Sequence, residues 1–157
     1  CQEILKSKTR KILSKVHLEK LSYALTGLKQ FLFAWPAKGY LVLDGVQKVE
    51  FNHIYFISAH IHPYEGGGFR FCPQADNRDG LLDLCVVGNL PKLLILLALP
   101  TAFFGRHYIF PQINHYRAAS IRIKTSVPLW VHTDGEVYLK SDRISISCLK
   151  QRVRFLV

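Results

Sequence analysis

Acidic residues are scarce in this chain, 11 against 21 Lys and Arg, and they are unevenly placed. Glu65, Asp76, Asp79 and Asp83 gather around Gly66-Gly67-Gly68 and Gly80, while Asp134 and Glu136 flank Gly135. Carboxylates beside glycines suit two kinds of chemistry: holding a hard cation through oxygen ligands, or taking a proton from a bound hydroxyl. Asp76 and Asp79 stand three apart just before Gly80. An EF-hand loop would need oxygen ligands where Ala75 stands and a Glu where Val86 stands, so that arrangement is excluded. An Asx turn at Asp76 and a hairpin turn at Asp79-Gly80 are the plain structural alternative. Asp134-Gly135-Glu136 lies between two β-prone segments, Leu129 to His132 and Val137 to Leu139, and reads equally as a hairpin turn or a carboxylate pair. Gly66, Gly67 and Gly68 lack the spacing of a Walker A loop or a dinucleotide fingerprint. Three glycines permit positive φ and close backbone approach, either to line a cleft or to make a bend. His60 and His62 would share one strand face, with His53, His107, His115 and His132 elsewhere; such pairs are commonly hydrogen-bonded side chains rather than zinc ligands.

These residues have to be positioned by a largely β framework. Leu21, Leu25, Leu28, Leu32 and Trp35 recur at helical spacing, which predicts an amphipathic helix from about Leu18 to Ala34, stopped by Pro36. From Tyr40 the texture becomes short β-prone runs. Tyr40 to Leu43 and Val46 to Phe51 flank Asp44-Gly45, a hairpin signal. Ile54 to Ala59 and Leu82 to Val87 read as further strands. Pro91 to Phe104 predicts a short internal helix with Pro91 near its first turn. Alternation then returns at Ile121 and Ile123, at Val137 and Leu139, and at Ile144, Ile146 and Cys148. The expected fold is mainly β: a β-sandwich with an N-terminal amphipathic helix and one short internal helix, in a single domain over residues 1–157.

Bulk composition narrows the partners. The 157 residues carry a formal charge of +10, which favours an anionic membrane, nucleotide phosphates or another acidic partner. Lys6, Lys8, Arg10, Lys11, Lys15 and Lys20 make the N-terminal stretch the most basic. Aromatic residues are not interleaved with Lys or Arg as a nucleic-acid stacking surface would require, so nucleic acid is not expected. The four cysteines show no CxxC spacing and read as reduced thiols. The longest apolar run, Leu93 to Phe104, spans only about 18 Å as a helix, against roughly 30 Å of bilayer core. The first residues lack the apolar core of a secretory signal. The expected location is therefore the cytoplasm, with peripheral membrane association.

Gly66-Gly67-Gly68, then Cys72-Pro73-x-Ala75, then Asp79-Gly80-Leu81-Leu82-Asp83-Leu84, and much later Asp134-Gly135-Glu136 together resemble the diacylglycerol kinase catalytic family. That family includes bacterial soluble lipid kinases and sphingosine kinases. Leu21-Ser22-Tyr23-Ala24, Leu28-Lys29, Trp35-Pro36, Asp44-Gly45 and Gly105-Arg106-His107 agree in order. The similarity covers nearly the whole chain but only the second half of a typical member. The nucleotide-binding half, with its Gly-Gly-Asp-Gly-Thr signature, is not within these residues. Ile61 departs from the Asn that members often carry before the glycines.

The resemblance implies a Mg²⁺ site made by the Asp79 carboxylate with backbone oxygens of Asp76 and Leu81. It implies Glu136 as the proton acceptor with Asp134 as a neighbouring carboxylate, and Gly66, Gly67 and Gly68 lining the cleft for nucleotide or lipid head group. ATP would be bound mainly by the missing nucleotide-binding domain, which becomes an expected partner. The implied reaction is phosphorylation of a lipid hydroxyl, foremost that of diacylglycerol. Phosphatidylglycerol or a sphingoid base is the alternative acceptor, and a non-catalytic module for anionic membranes is the alternative class. Homodimerisation stays open. The isolated chain is expected to have little or no kinase activity.

Overall fold

The computed structural model describes residue 33, residues 35–133 and residues 136–149. Seven strands follow in order: β1 (Ala37–Leu43), β2 (Gln47–Ile54), β3 (Phe56–His60), β4 (Leu82–Val87), β5 (Ile113–Ala118), β6 (Ser120–Thr133) and β7 (Glu136–Ser147). β1 and β2 form the hairpin expected around Asp44-Gly45, whose φ angles of 50° and 72° lie in the left-handed region. Asp44 also ties this turn to the start of β6. Its Oδ1 accepts the Ser120 amide at 2.8 Å, and its own amide donates to the Ser120 carbonyl at 2.9 Å. The antiparallel order of the first sheet is β2-β1-β6-β7. Gly39 lets β1 approach β6, since a Cβ there would stand 2.4 Å from the Lys124 carbonyl oxygen. β1 pairs only with Ile121 to Thr125 of β6, so beyond the irregularity after Lys124 the β6–β7 ladder runs on alone.

The second sheet is antiparallel in the order β3-β4-β5. Leu82, Leu84 and Val86 of its central strand pack against Leu41, Leu43, Ile121 and Ile123 of the first sheet. Side chains alternate across a strand, so Asp83, Cys85 and Val87 must point the other way. They are buried too, because the loops before β4 and helix α1 (Lys92–Ala102) cover that face. Cys72, Ala75, Leu90, Ala98 and Ile113 join Cys85 and Val87 in this second core. β4 is therefore covered on both sides, which explains its nearly unbroken apolar sequence.

The expected β-sandwich is the fold, with α1 as its internal helix. Apart from Phe33, the anticipated N-terminal helix lies outside the described residues. β5 was not among the expected strands; its Asn114, His115, Tyr116 and Arg117 are polar or polar-tipped. Two short 3₁₀ turns, Gly66–Gly68 and His107–Ile109, complete the covering layer.

Candidate functional site

The strand register of the second sheet assembles a charged cluster on its outer face. Asp83 sits between His60 of β3 and Arg117 of β5, and Cys85 in the next row sits between Ser58 and His115. Asp83 is the only charged residue of β4 and is 0% exposed. A carboxylate so deeply buried needs partners. Its Oδ1 accepts the His115 Nε2 proton at 2.7 Å and lies 3.4 Å from Arg117 Nε. Asp83 Oδ2 has no hydrogen-bond partner among the described residues.

Arg117 also reaches the turn that precedes β4, where its Nη2 donates to Asp79 Oδ2. The other Asp79 oxygen accepts the Leu81 amide at 2.8 Å, and Asp76 Oδ1 accepts the Arg78 amide at 2.9 Å. Gly80 takes φ of 74°, which closes the turn. Both aspartates thus act as turn formers, Asp76 as expected, whereas the Asp79-Gly80 turn leads a loop into β4 and closes no hairpin. Asp79 in addition joins the turn, through one guanidinium, to the buried Asp83.

A second polar group stands at the β3 edge. The Ser58 hydroxyl donates to Glu65 Oε2 at 3.1 Å and contacts His60 Nε2, which itself lies 3.1 Å from Glu65 Oε2. Burial pushes the His60 pKa below its ordinary value, and the nearby Glu65 carboxylate only partly opposes the shift. Glu65 then leads into the glycine run. Its amide donates to the Phe69 carbonyl at 2.7 Å, and its carbonyl accepts from the Gly68 amide at 3.3 Å. Gly68 needs glycine because its φ is 88°. Gly66 has no such internal reason, for a Cβ there would meet nothing within 4 Å.

Within the Gly105-Arg106-His107 motif, the histidine is an interior packing residue. His107 is buried, its Nε2 donates to the Phe71 carbonyl at 3.1 Å, and the Tyr108 hydroxyl donates to the same oxygen at 2.6 Å. Burial lowers the His107 pKa, against the pull of the Phe71 carbonyl. Burial also raises the Cys72 thiol and pushes Cys85 up to about 11, so neither is a nucleophile near neutrality. Beside this core a cavity of about 310 Å³ is lined by Pro73, Gln74, Tyr108, Ile113, Asn114 and His115. That is the lower end of the range for small-molecule sites.

Asp76, Asp79 and Leu81 share one turn, as their spacing requires. Asp134 and Gly135 lie outside the described residues. Glu136 is exposed, opens β7 opposite Thr133 and belongs to the first sheet. No hydrogen bond or ion pair joins it to Asp79 among the described residues. Also among the described residues, no group of three or more His, Cys, Asp or Glu side chains is clustered to hold a metal ion. What the turn offers a cation is one carboxylate with backbone carbonyls, hard donors suited to Mg²⁺. Sequence reasoning missed Arg117 and the Asp83–His115 pair. The available signal was an aspartate inside an apolar strand, which demands a partner.

The comparisons with known proteins agree with this architecture. A model of the YegS C-terminal NAD kinase beta sandwich-like domain matches residues 6–154. The chain is 27% identical over 117 residues, 74% of its length, to a protein of Mycobacterium tuberculosis (strain CDC 1551 / Oshkosh) named diacylglycerol kinase. It shares 31% identity over 88 residues, 56% of the chain, with YtlR of Bacillus subtilis (strain 168). A crystal structure of a diacylglycerol kinase from Bacillus anthracis str. Sterne superposes on 88% of the chain with a TM-score of 0.61 at 26% identity. The chain spans 37%, 28% and 46% of these three proteins respectively, less than half of each.

Proposed function

The chain belongs to the YegS C-terminal NAD kinase beta sandwich-like domain family, as a C-terminal domain of the diacylglycerol kinase catalytic family, and from that premise we propose that it is the acceptor-presenting half of an ATP-dependent lipid kinase. The reaction transfers the γ-phosphoryl group of ATP to a lipid hydroxyl, with diacylglycerol as the acceptor and phosphatidic acid as the product. The hydroxyl oxygen bonds to the γ-phosphorus, the bond to ADP breaks, and Glu136 takes the hydroxyl proton. Exposure at the start of β7 leaves the Glu136 carboxylate accessible to an acceptor. Asp134 is its neighbouring carboxylate.

The observation that carries this reading is the Asp76–Leu81 turn. It holds an aspartate at the surface end of a charged cluster anchored in the core. The Asp79 carboxylate and the carbonyls of Asp76 and Leu81 would hold Mg²⁺, which supplies charge neutralisation for the phosphates. Arg117 bonds one Asp79 oxygen and the Leu81 amide the other, and together they set which direction the carboxylate faces. Gly66, Gly67 and Gly68 line the cleft: the open space around Gly66 supports close approach of a nucleotide or a head group. The nucleotide itself is held by a partner domain of the longer protein. Its membrane partner is an anionic lipid surface, approached from the aqueous side.

The test is a panel of acceptors presented to the full-length protein with ATP and Mg²⁺. Diacylglycerol should be phosphorylated in preference to phosphatidylglycerol and sphingosine. Phosphorylation of one of the other two would move the acceptor but keep the reaction. If none of the three were labelled, the kinase reading would fail.

A further inference from the structure

Helix α1 is apolar on every side, Lys92 being its only charged residue. An all-apolar helix is ordinarily enclosed. Here only Ala98 and Ala102 are buried, and Ala98 packs with Cys85 and Val87 of the second sheet. Leu93, Leu97, Pro100 and Phe104, at i, i+4, i+7 and i+11, line the opposite side. Leu93 is 69% exposed, Leu97 56% and Phe104 73%, with Ile109 close behind at 72%. The ridge is also held in place. Phe103 stacks on Phe69 at 4.1 Å, and the Arg70 amide donates to the Ala102 carbonyl at 2.9 Å.

Its electrostatic setting favours one kind of partner. Residues 84–133 contain no Asp or Glu, while Lys92 opens the helix and exposed Arg106 follows Phe104. An apolar ridge between two cations, in an acid-free stretch, is complementary to acyl chains beneath anionic head groups. The helix cannot span a bilayer: 11 residues rise about 16 Å, against roughly 30 Å of hydrocarbon. It fits instead lying in the interface.

We infer that α1 and the turn that follows it form a membrane-docking element that inserts Leu93, Leu97 and Phe104 into the surface of an anionic bilayer. This names the contact surface of the membrane partner proposed above, and it is tested apart from catalysis. Full-length protein, wild type and the variants Leu97→Glu and Phe104→Glu, is sedimented with vesicles of mixed phosphatidylcholine and phosphatidylglycerol and with vesicles of phosphatidylcholine alone. Both variants should lose about tenfold or more in affinity for the mixed vesicles. Val46→Glu, a charge placed on the 90% exposed β1–β2 turn, should bind like wild type. Wild type should bind phosphatidylcholine alone more weakly. Melting temperature, and activity on diacylglycerol dispersed in detergent, should be unchanged in the ridge variants. Vesicle binding undiminished by either ridge variant overturns the inference. So does a wild-type dimer that both variants convert to monomer while vesicle binding persists, because the ridge would then be an interface between copies. Loss of detergent-dispersed activity in wild type itself would count against the kinase reading and leave the docking result standing.

Discussion

At the level of single residues, Arg117 connects the exposed turn to the core. It bonds Asp79 on one side and approaches Asp83 on the other, while His115 shares the same Asp83 oxygen. Replacing it by Leu would leave Asp83 buried with one partner fewer. Since the Arg117 side chain is 41% exposed, screening reduces the expected loss to about 1–3 kcal/mol in urea unfolding. An unchanged midpoint would show that the bridge is not a stabilising contact. The buried histidines set a pH dependence. His60 and His107 both have folded pKa values below the ordinary 6.5, so the unfolded chain binds protons more readily. Their contribution is complete above that value and is lost as pH falls below it. Melting temperature should therefore decline between about pH 7 and pH 5, and His107→Gln should flatten the slope. Asp79 and Asp76 were legible as a turn because the Asp-Gly pattern carries its own geometry. Asp83 was visible only as an acid among others, since its burial depends on what covers β4 from outside.

Among the elements, β4 decides the architecture. Its even-numbered side chains fill the sandwich and its odd-numbered ones fill the second core, so its register fixes both. Leu84, 0% exposed between the sheets, is the sharpest test: Leu84→Ala should cost about 2–5 kcal/mol by chemical denaturation. A loss under 1 kcal/mol, about the size of a single methylene's burial, would mean the inter-sheet core is looser than described. The hairpin at Asp44-Gly45, the strand at Leu82 to Val87 and the helix after Pro91 were readable from turn residues and apolar runs. β5 was not. Its inward residues Asn114 and Tyr116 are polar-tipped, and its outward His115 and Arg117 are bound to Asp79 and Asp83, so neither face shows apolar alternation. Partner choice across strands, which local sequence does not encode, made those polar residues part of a sheet.

For the whole molecule, sandwich, covering layer and surface charge divide the work. The two sheets fix the framework, and the covering layer carries the glycine turn, the Asp79 turn and α1. The positive charge favours an acidic surface or substrate. Among the described residues no helix is long and apolar enough to cross a membrane, and the proposed lipid contact is made by the exposed ridge of α1. The family and the sandwich were legible in the sequence because their motifs are short and ordered. The relation between Glu136 and Asp79 was not, since Glu136 opens β7 of the first sheet and Asp79 lies in the turn before β4 of the second. The most direct test of the central claim is the rate at which full-length protein transfers labelled phosphate from ATP to diacylglycerol, wild type against Glu136→Gln. With Glu136 as the proton acceptor, the variant should fall by about 10²–10⁴-fold in kcat while remaining folded and vesicle-bound. A variant that turns over at the wild-type rate would contradict the account.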